Sequence, residues 1–416
     1  MTKDIYLRLV NVSLRSGTLV CKFVLIFFLA KYLPPAEVGT YGLLVATIGY
    51  AFFIVGIEFY TYSSRELIGV SSDGWLPIIR DQWVFFFISY ACFIPLAYCF
   101  FYAGFLPIKY FGWFLILFLL EHTAQELNRL FVAMGEQLLA SSILFLRSGI
   151  WVFFVVLAMW RYPESRTLEF VFKAWAAGAS LACLIGLLRL AMLDRRKLSS
   201  RLNWLWILRG IKVSIPLLFA SLAIRGLFTF DRYWVEAVAG MEVLGIYVLF
   251  AGIAFSIISF IDAGVIVFLY PRVVAAAKEN NDKKFRAQMK ELARNVVVAT
   301  MVMSISALFI SPYVLEWIGK PVYQESIYLL RWLLLAVSLY SLSMVPHVGL
   351  YARHKDSAIL HSQLAGLLVF VIGCAFGVSR YGEVAVVLSM CIAFMVVLVW
   401  KCLVYKSMHS LQASPA

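Results

Sequence analysis

Of 416 residues, 63% are hydrophobic and 14% charged, and the formal net charge is +13. Soluble domains run near half apolar and a quarter charged, so this balance excludes a soluble enzyme, a disordered chain and a disulfide-stapled secreted module. It leaves an all-α polytopic membrane protein.

A spanning helix needs about 20 apolar residues, and runs of that length give about twelve spans. In chain order the first six are Gly17–Leu33, Gly39–Ile57, Gln82–Leu106, Phe111–Leu127, Leu138–Trp160 and Phe170–Met192. The second six are Val213–Trp234, Leu244–Phe268, Asn295–Ile318, Ile327–Pro346, Ile359–Val378 and Val384–Val404. Helices are expected because backbone groups in hydrocarbon must be satisfied within the segment, and the runs are too long and continuous for barrel strands. The first run has span length and no small-residue cleavage site after it, so a cleavable signal is not expected. The seven cysteines stand singly, giving neither a disulfide framework nor a metal site. No G-x-x-x-x-G-K-[ST] loop is present, and no cofactor is expected.

With both termini placed in the cytoplasm, 24 of the 36 Lys and Arg fall in or beside inner segments, 8 on the outer side, and Lys22, Arg147, Arg225 and Arg331 lie deeper in spans. That threefold bias supports this orientation. Lys401, near the end of the last span, counts here with the C-terminal tail. The basic charge is therefore a topology signal, and no nucleic-acid partner is expected. The richest inner loops, Asp194–Lys212 and Arg272–Arg294, read as solvated or as touching anionic headgroups.

A short repeat divides the chain. Ala36 to Leu43 reads A-E-V-G-T-Y-G-L, and Met241 to Leu249 reads M-E-V-L-G-I-Y-V-L. Gly39 and Gly245 are 206 positions apart, as are Tyr41 and Tyr247. Internal repeats mark secondary transporters, and the division predicts six-helix lobes over 1–208 and 209–416.

These residues also carry a resemblance. A-K-Y-L-P-P-A-E-V-G-T-Y-G-L from Ala30, S-R-E-L from Ser64, I-P-L-L from Ile215, D-R-Y from Asp231, G-I-Y from Gly245 and Y-P-R from Tyr270 resemble the polysaccharide (O-antigen, Wzx-type) flippases. These belong to the multidrug/oligosaccharidyl-lipid/polysaccharide (MOP) exporter superfamily. The resemblance implies two six-helix lobes around a cavity, alternating access, and an undecaprenyl-pyrophosphate-linked oligosaccharide as cargo. It also implies the bacterial inner membrane, a role in lipopolysaccharide biosynthesis, and a polysaccharide polymerase or chain-length machinery as possible partners.

Ionisable groups at membrane depth are costly and usually functional. Arg147 and Arg225 lie nearest the middle of their spans, while Lys22 and Arg331 are closer to span ends, where a long side chain can snorkel. Guanidinium binds phosphate through a planar fork and ammonium as a point charge, so the three arginines and Lys22 are candidate contacts for an anionic headgroup. In the fourth span Glu121, His122, Gln125, Glu126, Asn128 and Arg129 project onto one helical face about 160° wide. Glu126 and Arg129 are spaced to pair. Glu121 and His122 are candidates for coupling to a proton or sodium ion. Glu58 and Asp231, at span ends, are candidates for gating or for pairing with a nearby arginine, and Glu58, Tyr62 and Arg65 are spaced to share a face.

Two alternatives remain. A cation-coupled small-molecule exporter of the same superfamily is expected to show deep carboxylates in place of deep arginines. A membrane-embedded O-antigen polymerase or ligase would be an enzyme, and the short outer loops argue against the long periplasmic loop such polymerases carry.

Overall fold

The computed structural model describes residues 2–193, 201–279 and 281–412, and every regular element among them is helical. Helix α1 (Thr2–Tyr32) starts well before the apolar run, since nothing in its polar first turns breaks a helix. It stops ahead of Pro34 and Pro35, because the residue before a proline is pushed out of the helical region. Pro35 then opens α2 (Pro35–Gly56), where its missing N–H has no helical partner to lose. After Gly56 the chain turns left-handed at Ile57 (φ 41°) and Glu58 (φ 60°), and α3 (Phe59–Ile68) follows.

Helices α4 (Trp75–Tyr102) and α5 (Phe111–Ala133) complete the next hairpin. The fifth span is divided into α6 (Gln137–Phe145), a π turn over Leu146–Ile150, and α7 (Trp151–Arg161). Helix α8 (Leu168–Ala191) is capped by Thr167, whose hydroxyl accepts from Phe170 N. Of the basic loop Asp194–Lys212, residues 194–200 lie outside the described residues.

The seventh span also differs from expectation. Helix α9 (Trp204–Leu227) breaks at Phe228 and Thr229, and α10 (Phe230–Ile261) begins with Asp231 in its first turn. Gly240, at φ 80° and ψ 177°, interrupts α10. A π turn over Asp262–Ile266 leads into α11 (Val267–Lys278). Helices α12 (Asp282–Ile318), α13 (Pro321–Glu325), α14 (Ile327–Ala352), α15 (Asp356–Tyr381) and α16 (Val384–Gln412) follow. Ten described stretches are long and apolar enough to cross a membrane, one of them covering Trp204 to Lys278 across these interruptions. Dividing that stretch at Gly240 and adding the charge-bearing α5 gives twelve. Phe87, Leu96, Tyr102, Phe153, Phe309 and Phe376 are exposed on these helices, as faces meant for hydrocarbon are.

Two sequence expectations are corrected. The segment Arg272–Arg294 is mostly helix: α11 runs to Lys278, and α12 starts at Asp282 behind an Asn281 cap. Its alanine, lysine and arginine content favours helix. Lys401 does not belong to a tail, because α16 runs on to Gln412 and the lysine is 1% exposed.

The chain divides into two compact units, Met1–Leu33 with Leu43–Leu222, and Pro34–Gly42 with Ala223–Ala416. In the first, Leu127 and Phe131 of α5, Ile143 of α6, and Ala182 and Cys183 of α8 form a buried core. In the second, α16 packs on α14 and α15, with Phe394 among the rings of Phe228 and Tyr340. The repeat is visible in the backbone. Pro35 opens α2, and Met241 resumes α10 after Gly240, again 206 residues later. Gly56, at the break in the second span, has Asp262, the start of the π turn, at the same offset. The two repeat glycines meet within the second unit. A Cβ on Gly39 would fall 2.5 Å from the Met241 carbonyl oxygen, and one on Gly245 would strike the Pro35 carbonyl. Only glycine permits this close helix crossing.

Candidate functional site

In the first unit the deep charges form one cluster. Glu121 on α5 and Arg147 on the π turn are both 6% exposed. Arg147 Nε lies 3.5 Å from Glu121 Oε2, and Arg147 Nη1 donates to the Glu121 carbonyl at 3.2 Å. The indole of Trp175, on α8, donates to Glu121 Oε1 at 2.7 Å, and that of Trp151 donates to the Arg147 carbonyl at 2.8 Å. The two indoles stack at 6.0 Å, nearly parallel at 13°. Two glycines let the helices close on the π turn. A Cβ on Gly178 would sit 2.9 Å from the Leu146 carbonyl, and one on Gly149 would lie 3.4 Å from Thr18 Cα of α1.

The pair is ionic rather than fully hydrogen-bonded, for Arg147 Nε is buried without a hydrogen-bond acceptor. Lys22, exposed on α1, lies within electrostatic reach of both Arg147 and Glu121. Two cations therefore share one carboxylate, and the cluster retains donors for an added anion. π turns recur at functional sites, and this one sets Arg147 against Glu121.

The remaining polar residues of α5 do not share one opening. Asn128 donates to the Ala140 carbonyl of α6, on the same side as Glu121. On the other edge, His122 is fully buried, with Nδ1 2.6 Å from the Tyr90 hydroxyl of α4 and its ring among Phe52, Phe86 and Phe118. Its Nε2 is buried without a partner. Glu126 accepts from Gln82 of α4 at 3.1 Å and pairs with Arg129 at 2.6 Å, as its spacing predicts. The guanidinium of Arg129 lies over the Tyr60 ring at 3.7 Å. The single face of the helical projection thus splits between α4 on one edge and α6–α8 on the other.

Glu58 is 8% exposed and accepts from Ser221 at 2.5 Å. It does not share a helical face with Tyr62 and Arg65, because its left-handed backbone precedes α3 and breaks the projection. Tyr62 packs on Trp206, while Arg65 is exposed.

In the second unit, Asp231 is fully buried and accepts from the Tyr247 hydroxyl at 2.6 Å and from Arg232 N at 2.8 Å. Arg232 Nη1 lies 3.4 Å from the same carboxylate and also donates to the Phe228 carbonyl across the helix break. The arginine thus ties the ends of α9 and α10 together. Arg225, exposed near the end of α9, lies within electrostatic reach of Asp262, which in turn reaches Tyr340. Arg331 is exposed one turn into α14 and is not drawn into these clusters.

Asp262 was absent from the sequence-based candidates, although it stands in an apolar run and meets the rule that selected Arg225. Lys401 and His347 were missed as well. The aromatic partners Tyr90 and Trp175 carried no signal, and Tyr247 stood out only as a repeat position, since nothing in their spacing marks which polar group they meet. No group of three or more His, Cys, Asp or Glu able to hold a metal occurs among the described residues.

Neither a protein-family model nor a curated protein matches the sequence. Solved structures do match in fold. An inward-facing multidrug resistance MATE family transporter of the MOP superfamily superposes with a TM-score of 0.76 at 13% identity, over 97% of this chain and 99% of that one. An outward-facing structure described in the same words has a TM-score of 0.61 at 14% identity, over 97% of both chains. The lipid II flippase MurJ, in an inward closed conformation, has a TM-score of 0.69 at 11% identity, over 96% of this chain and 87% of that one. The chain is a multi-pass membrane protein, all-helical among its described residues, with the fold of these MATE transporters and of MurJ.

Proposed function

We propose that the protein is a flippase that moves an undecaprenyl-pyrophosphate-linked oligosaccharide, such as an O-antigen repeat unit, across the bacterial inner membrane. Both termini would lie in the cytoplasm, and two six-helix lobes would alternate access without an enzymatic step. The observation that carries this reading is the deep Lys22–Arg147–Glu121 cluster, where two cations face one carboxylate and Arg147 Nε has no hydrogen-bond acceptor. A pyrophosphate supplies the missing acceptors and charge. Arg225 is the second cargo contact, and Arg331 meets the headgroup nearer the surface. Glu121, on losing Arg147 to the cargo, is the group through which a proton or sodium ion would be coupled; His122, Glu58 and Asp231 serve packing and gating.

The multidrug transporters of the same fold make a cation-coupled small-molecule exporter the second reading. Against it, Glu121, Glu126 and Asp231 are each already paired with an arginine, so a cationic drug would have to displace an arginine at any of these three.

The test is export of surface polysaccharide and accumulation of its lipid-linked precursor in cells carrying Arg147→Ala, Arg225→Ala or Arg147→Lys. Alanine at either position abolishes export while the protein remains inserted and abundant, and lysine at 147 restores part of it, keeping charge but not the fork. Normal export in both alanine variants overturns the reading.

A further inference from the structure

Among the described residues, Lys401 of helix α16 has no acidic group within electrostatic reach. Lys401 is 1% exposed. Gly349 of α14 lies against Tyr405 of α16, and Cys391 of α16 donates to the Trp332 carbonyl of α14. This parallel register sets His347 level with Lys401, and the two lie within electrostatic reach. On α15, Gly366 lies against Val397 and Gly373 against Ser389. That antiparallel register brings Ser362 and Gln363, both buried, beside the lysine and leaves His361 exposed.

Three polar atoms of this layer, His347 Nδ1, Gln363 Oε1 and Ser343 Oγ, are buried without a hydrogen-bond partner. Ser343 and His347 are one turn apart on α14. Among the described residues, the titratable groups within electrostatic reach of Lys401 are His347 and Cys402. Helix α15 adds only uncharged Ser362 and Gln363, and α10, also packed on α16, adds no charged group. A buried ammonium without a counter-charge is costly, so small changes in its surroundings can change its protonation. The Gln363 oxygen is an acceptor, which suits an added N–H and would oppose a bound anion.

We propose that Lys401 is the proton-carrying site of the second unit, loaded and unloaded once per transport cycle. The step is R–NH2 plus H+ from water on one side giving R–NH3+, with the new N–H taken by the lone pairs at His347 and Gln363. The reverse step releases the proton to water on the other side. This rests on the transport reading above, takes the proton as the ion, and adds to Glu121 of the first unit a second residue that would couple it.

The test uses the full-length protein in lipid nanodiscs with isotope-labelled lysine, the Lys401 resonance being assigned by its loss in Lys401→Arg. The expected result is a titration separate from that of the exposed lysines, shifted by about half a pH unit or more in Gln363→Leu and His347→Phe. A Lys401 signal that titrates with the exposed lysines, or one unmoved by both variants, overturns the proposal. In cells, Lys401→Met and Lys401→Arg lower export by an order of magnitude or more; export with an unchanged response to collapse of the proton gradient overturns the coupling. The titration needs no cargo, so it stands or falls apart from the choice of lipid-linked oligosaccharide. If Lys401→Met fails to fold, the shifts in the Gln363 and His347 variants decide.

Discussion

Replacing Glu121 with alanine removes the carboxylate between Arg147, Lys22 and Trp175. With the ion-pair atoms 3.5 Å apart, the charge centres are about 4 Å apart and attract by about 4 kcal/mol at an effective dielectric near 20. The Trp175 indole N–H, now 2.7 Å from Glu121 Oε1, loses that buried bond at about 1–3 kcal/mol. Set against these is the relief of no longer burying a carboxylate, so the net loss is about 3–5 kcal/mol, the usual result of breaking a buried pair by removing one partner. Each compact unit holds about two hundred residues, for which a kilocalorie shifts the midpoint by about 2–4 °C. Glu121→Ala is therefore expected to lower the thermal unfolding midpoint of the detergent-purified protein by about 10 °C. Arg147→Leu lowers it too, whereas the double variant Glu121→Ala with Arg147→Leu recovers about 2–3 kcal/mol of the summed loss, because no uncompensated charge of the pair remains. Additivity of the two single changes to within about 0.5 kcal/mol, or an unchanged midpoint in Glu121→Ala, refutes the argument.

Tyr247→Phe leaves one oxygen of the fully buried Asp231 without its donor, and should cost about 1–3 kcal/mol in thermal unfolding. Gly245→Ala drives a methyl group into the Pro35 carbonyl; the crossing has to open, with a loss of about 3 kcal/mol or more and poor recovery of folded protein on size-exclusion chromatography. At Glu58, φ 60° suits asparagine far better than a β-branched residue, so Glu58→Asn should unfold at a higher temperature than Glu58→Val.

The two short repeats show where sequence reading succeeded in depth. Gly39 and Gly245 were recognisable as equivalent from spacing alone, and the structure puts them at one helix crossing. The six polar residues of α5 show the opposite. Their common face follows from helical geometry, but Glu121 turns to Trp175 and Arg147 while Glu126 turns to Gln82. Such partners lie 54, 26 and 44 residues away, and no periodicity links them. Lys401 was misplaced for a related reason: distance from a span end measures depth, not which side of the helix is covered.

Twelve apolar runs, an internal repeat and a few charges at membrane depth were determined by the sequence itself. Each follows from a local rule: hydrocarbon accepts helices of apolar residues, and penalises every charge it meets. The tertiary structure alone decided which charges neutralise one another, that Glu58 sits in a left-handed break, that π turns carry Arg147 and Asp262, and that Lys401 is enclosed. These depend on how neighbouring helices pack, and packing is set by side chains far apart in the chain.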